Sequence, residues 1–447
     1  MDATSSPRTL RTEVPALLKL ATPVALAQAG QAAMGLVDTA VVGRLSAAAQ
    51  GGVGVGNGVT FTVMVMGLGI LLALDPLISQ AIGANEPRRA REAYWQGIWL
   101  SLILGAVLAL PLAIVPWFFE AAGVEPAMAV EARKFVLWRI PGMLPFFLFT
   151  ASRSYLQGQG RPAILVWAMV VANLVNFGLD LVLVFGAGPI PAFGVPGAAM
   201  ATNLCSLLQW VILVKAIGPA PADTVKRFSR AIAAKIVHVG LPIGLQMSAE
   251  VGVFALAALL AGRLGEASAA AHQVAITWGS LSFCFAIGVG NAASTRVGWA
   301  IGADDTPGAR LAGKGAFVAG VVVMGVWAFV FSVFSYPVAR LLTDKESVLA
   351  LAVPLMGVTA LFQISDGVQA VGAGILRGIA DTRFAFVANV AGHYLVGLPI
   401  AVLFGLKLGY GVQGLWWGLC AGLTAVAILL PIRFFSRTRQ RILRAID

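Results

Sequence analysis

The sequence predicts an all-α polytopic membrane protein, with twelve transmembrane helices in two six-helix lobes related by a pseudo-two-fold axis along the membrane normal. Three observations carry that fold class. The 447-residue chain is 59% hydrophobic and only 11% charged, with a mean hydropathy of +0.86, a balance far from that of soluble domains. Apolar stretches of about 20 to 25 residues follow one another from near residue 15 to near residue 434, each long enough to cross a hydrocarbon core about 30 Å thick. The second half of the chain also repeats the first.

The apolar runs place spans at 15–42, 50–82, 94–117, 133–157, 163–187, 194–217, 235–261, 270–300, 313–342, 348–376, 383–406 and 411–434. Alternating segments of about 10 residues, the mark of a transmembrane barrel, do not occur. The opening "MDATSSPRTLRTEVPALLKL" has no short apolar core followed by a small-residue cleavage site, so residues 1–14 read as a cytoplasmic N-terminal tail. Residues 15–217 form the first lobe, 218–234 a cytoplasmic linker, 235–434 the second lobe and 435–447 a basic cytoplasmic tail.

The repeat is long and nearly gapless. "LATPVALAQ" at 20–28 answers "VGLPIGLQM" at 239–247, and "AIGANEPRRAR" at 81–91 answers "AIGADDTPGAR" at 300–310. Pro23 and Pro242, Gly43 and Gly262, and Ile82 and Ile301 all stand 219 positions apart. Six spans per copy bring both copies in from the same side. A parallel repeat of this kind, two bundles with a cleft between them, is an architecture of alternating access.

A net charge of +11 raises the possibility of a nucleic-acid partner, but its distribution argues against one. With a cytoplasmic N-terminus, about 23 basic residues fall on the inner side. About 8 fall on the outer side: Arg44, Arg133, Lys134, Arg139, Arg263, Arg340, Lys345 and Lys407. That bias orients both termini to the cytoplasm. The tail "SRTRQRILR" is part of the same signal, with anionic membrane lipids as a second reading. Cys205, Cys284 and Cys420 lie inside spans without metal-ligand spacing and read as packing residues.

Polar groups inside the spans carry the functional signal, because a carboxylate near mid-membrane costs roughly 2.5 to 3.5 kcal/mol on insertion scales. In "NLVNFGLD", Asn173, Asn176 and Asp180 recur at helical spacing and share one face. Asp38 in the first span and Thr202 in the sixth fall at similar depth. Two carboxylates, an amide and a hydroxyl are oxygen ligands suited to a hard monovalent cation such as Na⁺, and a close acid pair also suits a proton. The bland alternative is interhelical glue. The second lobe does not repeat this set, since Asp38 is answered by Ala257 and Asp180 by Ile400. It carries Glu250 and Asp366 instead, read as a substrate site or a second coupling position.

Weaker signals have competing readings. Asp75, before Pro76, reads either as a transport residue or as a structural partner of a basic residue such as Arg153. His272 and Gln273 in "AAHQVA" and His393 in "AGHYLVG" read as a proton relay or as hydrogen-bonded core. "GVGVGNG" at 52–58 misses GxGxxG and follows no strand, so close helix packing or a hinge explains it better. No Walker motif, HExxH or GxSxG occurs, which leaves ATP hydrolysis and hydrolytic chemistry without support.

Together "MGLVDTAVVGRL", "NFGLD", the two "IGA" loops, "AAHQVA" and "ILRGIADT" resemble the bacterial MATE (multidrug and toxic compound extrusion) transporters over essentially the whole chain. Glu250 and Asp366 are similar to the second-lobe acids of the NorM-like branch, whereas Asn176 with Asp180 resembles the first-lobe site of DinF-like and archaeal members. The resemblance implies export of cationic, amphipathic small molecules in exchange for inward H⁺ or Na⁺ across the bacterial inner membrane, without a cofactor; a monomer is expected. A lipid-linked oligosaccharide flippase of the same superfamily is the alternative, and a membrane-embedded enzyme a more distant one.

Overall fold

Twelve helices long and apolar enough to span a membrane run along the chain. We label them α1 (Leu10–Val42), α2 (Ala47–Gly83), α3 (Pro87–Phe118), α4 (Pro126–Gly158), α5 (Ala163–Phe185), α6 (Val195–Ile217), α7 (Arg230–Arg263), α8 (Glu266–Gly302), α9 (Thr306–Val333), α10 (Glu346–Gly378), α11 (Thr382–Lys407) and α12 (Gly411–Arg437). The computed structural model describes residues 9–221 and 223–445. The first eight residues of the expected N-terminal tail, Arg8 among them, lie outside the described residues, as do Ala222 of the linker and the last two residues of the tail. Helices are the natural solution here, since hydrocarbon offers the backbone no other hydrogen-bond partners.

Two expected spans are interrupted, in each case just before a proline. α2 breaks after Leu71 and resumes at Leu74, because Pro76 has no N–H to offer the Leu72 carbonyl. α9 stops at Val333 and a separate short helix, Ser335–Arg340, follows, because Pro337 cannot serve the Val333 carbonyl. α11 widens into π-type turns at Ala391–Gly397 and Leu403–Lys407, on either side of a short α-helical stretch that contains Pro399.

Four helix ends show the repeat in backbone detail. The second residue after the helix turns left-handed at Asn85 (φ 59°), Gly160 (φ 73°), Asp304 (φ 58°) and Ala380 (φ 59°). After α4 and α10 the next N–H reaches back to close the cap, Arg161 to Leu156 and Asp381 to Leu376, both at 2.9 Å. Ala380 holds a Cβ where its repeat counterpart is Gly160. We therefore expect Ala380→Gly to stabilise the protein by roughly 1 kcal/mol, by relieving the left-handed strain. Thermal unfolding in detergent checks this, and an unchanged or lower midpoint would refute it.

The chain divides into two compact units. The first comprises Ala27–Leu74 and Glu86–Gly244. Its core gathers Val41, Val53, Phe135, Val184, Val195 and Ala198 from five helices. The glycine run of α2 proves to be a packing face: Gly52 abuts Glu131 and Ala132, and Gly56 abuts Phe135, while Gly54 and Gly58 point into open space. The linker is strapped down. The Gln96 side chain donates to Arg227 O and accepts from Ser229 N, both at 2.8 Å, and Trp99 Nε1 donates to Lys226 O at 2.8 Å.

The second unit comprises Met1–Leu26, Asp75–Asn85 and Leu245–Asp447. Leu17 and Ala21 join Val289, Ala293, Val371, Leu430 and Ile442 in its largest core cluster. Glu13, buried at the start of α1, takes a two-pronged ion pair from Arg296 of α8 at 2.5 and 2.8 Å. The segment after α12 folds back, with Ile442 in the core and Arg441 and Arg444 on Asp304 at 3.2 and 2.7 Å. A hydrogen bond from Arg441, joined by the Arg444 charge, holds the Asp304 carboxyl below the usual carboxylate range. Ala445 N then donates to Gln80 Oε1 at 2.6 Å.

Candidate functional site

The first unit brings Asp38, Asn176, Asp180 and Thr202 together. α5 presents Asn176 and Asp180 inward, both fully buried, while Leu174 and Phe177 on its other face are exposed. That division is what a lipid-facing helix with one polar stripe produces. Thr202 Oγ1 donates to Asp38 Oδ2 at 2.7 Å, with the Ala198 carbonyl at 3.0 Å. Asn176 and Asp180 come within side-chain reach of Asp38. Asn173 stands apart: its Nδ2 donates to the Gly30 carbonyl at 3.1 Å and to Met169 O at 2.9 Å, tying α5 to α1.

Hydrogen bonding in this cluster is incomplete. Asp38 Oδ1, both oxygens of Asp180 and both polar atoms of the Asn176 amide are buried without a partner. Buried polar groups in proteins are almost always paired, and an unpaired carboxylate is among the costliest exceptions. Four of these atoms are oxygens, three of them from the two carboxylates, and they form a ligand set that fits a monovalent cation or a proton.

Sequence reasoning missed Arg139, which it placed among the outer-side charges. The structure buries Arg139 within α4, 8% exposed, in Coulombic reach of Asp38. Its Nη1 donates to Asn203 Oδ1 at 2.5 Å. Helix rise supplies the overlooked signal, since Arg139 lies about 8 Å further into the span than Lys134.

In the second unit Glu250 is the hub. Its Oε1 accepts from Gln246 Nε2 at 3.2 Å, from Gln369 Nε2 at 2.6 Å and from Asn389 Nδ2. Gln246 precedes Glu250 by one turn on α7, Gln369 comes from α10 and Asn389 from α11. Asp366, one turn before Gln369, is buried and lies in Coulombic reach of Glu250. All three amides turn their N–H₂ groups to it, the arrangement that suits an ionised carboxylate. Gln369 and Gln246 were legible only as polar residues three and four positions from an acid, and Asn389 carried no such spacing signal.

The histidines divide. His272 is buried and its Nδ1 accepts from Trp416 Nε1 at 3.1 Å, a core pairing, while Gln273 faces outward and reaches Thr277 on its own helix. His393 is buried in the first widened turn of α11 with Nδ1 unpaired. Asp75 pairs with Arg377 at 3.4 Å, and Arg377 also donates to Asn291 at 3.2 Å. Its basic partner is therefore Arg377 and not the Arg153 expected from the sequence. Arg153 donates to Gln28 instead, at 3.2 Å.

Comparison with known proteins identifies the family. The MatE family profile matches residues 23–182 and 242–403, two stretches that begin at the paired prolines of the repeat. The probable multidrug resistance protein NorM of Mesorhizobium japonicum is 34% identical over 455 residues, covering 96% of this chain and 95% of that protein. The multidrug resistance protein MdtK of Edwardsiella ictaluri is 32% identical over 446 residues, with 96% of each chain covered. In fold, the crystal structure of the eukaryotic MATE transporter AtDTX14 superposes with a TM-score of 0.86, covering 97% of this chain and all of that one, at 23% identity. With both copies of the repeat matched and relatives similar from end to end, this multi-pass membrane protein belongs to the MatE family.

Proposed function

We propose that the protein is a secondary active multidrug efflux transporter that exports cationic, amphipathic compounds by antiport with H⁺ or Na⁺, through alternating access of its two six-span halves. The cluster of unpaired oxygens around Asp38 and Asp180 carries this reading. A buried acid pair is costly unless something exchangeable neutralises it, and neutralisation that favours one access state couples ion binding to substrate release. The relatives named as multidrug resistance proteins supply the substrate class. The positive-inside bias supports cytoplasmic termini in a bacterial inner membrane.

Glu250 and Asp366 serve cationic substrates in this reading. An ionised Glu250, held by three amide donors, offers a fixed negative charge in a poorly screened setting. We expect Glu250→Gln to weaken export of cations about tenfold while affecting neutral substrates far less. Equal loss for both classes would assign Glu250 a structural or general coupling role. The coupling itself is tested by ethidium uptake into inverted vesicles, the direction export takes when the cytoplasmic face is outside, driven by a Na⁺ gradient alone and then by a pH gradient alone. Uptake under one gradient identifies the ion, and uptake under neither overturns the antiport reading.

A further inference from the structure

The pocket of Asp38 contains a full positive charge of its own. Arg139 keeps its proton under all physiological conditions, and three features fix where that charge sits. Asn203 Oδ1 accepts from Arg139 Nη1 at 2.5 Å, while Asn203 Nδ2 donates to the Trp138 carbonyl at 2.6 Å, so the amide can point only one way. Gly142, one turn further along α4, leaves the space: a Cβ there would collide with the Asn203 side chain and the Arg139 guanidinium. Asn203 directly follows Thr202, whose hydroxyl holds Asp38. The guanidinium is thus clamped within electrostatic reach of Asp38 without bridging to it.

The charge balance follows. Asp38 and Asp180 can carry two negative charges and Arg139 one positive, so the ionised pocket is left with one net negative charge. Among the described residues, the other titratable side chain facing the acids is the Cys205 thiol on α6. Towards the start of α4, Lys134 is satisfied by Glu131 at 2.7 Å and Arg133 by Glu120 at 3.3 Å. We propose that Arg139 is a fixed counter-charge that limits the Asp38–Asp180 site to one exchangeable monovalent cation and sets how tightly that cation is held. This rests on the reading of the cluster as an ion site. It adds a residue that tunes the site from outside the ligand set.

The test measures cation uptake by the purified, full-length protein in nanodiscs. One arm titrates NaCl against choline chloride at constant ionic strength. The other follows proton uptake after small acid pulses with an indicator dye. Arg139→Gln, which removes the charge but keeps much of the size, should tighten cation uptake roughly tenfold or more, as expected for losing a positive charge at close range in a poorly screened pocket. Arg139→Lys keeps the charge and should stay within about threefold of wild type. Asp38→Asn should abolish the signal. If Asp38→Asn abolishes uptake but Arg139→Gln leaves affinity unchanged, the ion site stands and the counter-charge is overturned. The counter-charge also falls if Arg139→Lys tightens uptake as Arg139→Gln does, or if wild type takes up two cations at this site. If Asp38→Asn binds as wild type does, the ion-site reading itself fails and the proposal with it.

Discussion

Asp38→Asn is expected to abolish ion-driven export while leaving folded protein in the membrane. Asparagine matches aspartate in size, and its amide oxygen can still accept from Thr202, so packing between α1 and α6 survives. The capacity to alternate between charged and neutral is lost. A site that works by binding and releasing a cation needs that alternation, and drug accumulation in cells expressing the variant should match that of cells without the transporter. Asn176→Ala and Asp180→Asn should reduce export less completely, since each leaves other oxygen ligands in place. The competing view treats the cluster as interhelical glue worth about 0.6 kcal/mol per contact. It predicts lower thermal stability with export largely retained. Measuring accumulation and detergent-solubilised melting side by side separates the two, and near wild-type export by Asp38→Asn would sink the ion site.

The largest effect on stability is expected at Glu13. Its two-pronged pair with Arg296 is short and largely withdrawn from water, and removing one partner strands the other. Arg296 keeps about a fifth of its side chain exposed, which places the cost of Glu13→Gln near the lower end for buried pairs, about 3 kcal/mol. Replacing both residues, as in Glu13→Gln with Arg296→Met, should recover most of the loss, because no uncompensated charge then remains. A single variant that melts with wild type would show that solvent already screens the pair.

The fold was readable because the membrane leaves the backbone few choices. Span length and the polar stripe of "NLVNFGLD" report local periodicity, and the 219-residue offset compares one half with the other, so none of them depends on knowing which residues meet in space. What the sequence hid was partnership over long distances. Asp75 found Arg377 and not Arg153, since nothing in one span says which of many buried arginines will face it. The amides on Glu250 come from three helices, and each alone is an ordinary polar residue. Arg139 was misplaced for a different reason: a basic side chain near a span end usually reaches for the interface, and only the Asn203 clamp and Gly142 keep it inside.

The back-folded tail bears on how the protein is made. The second unit joins Glu13 to Arg296 across 283 positions, Asp75 to Arg377 across 302 and Gln80 to Ala445 across 365. Segments synthesised first therefore enter the bilayer long before their partners exist. Closing such long loops costs little more entropy than closing moderate ones, but in time it means waiting. The start of α1 and the end of α2, with Glu13, Asp75 and Gln80 exposed, must persist as unfinished surfaces until α8, α10 and the tail have been translated. This unit is thus closed in stages, with Glu13 waiting for α8, Asp75 for α10 and Gln80 for the tail, and each stage leaves a buried polar group open to the membrane meanwhile.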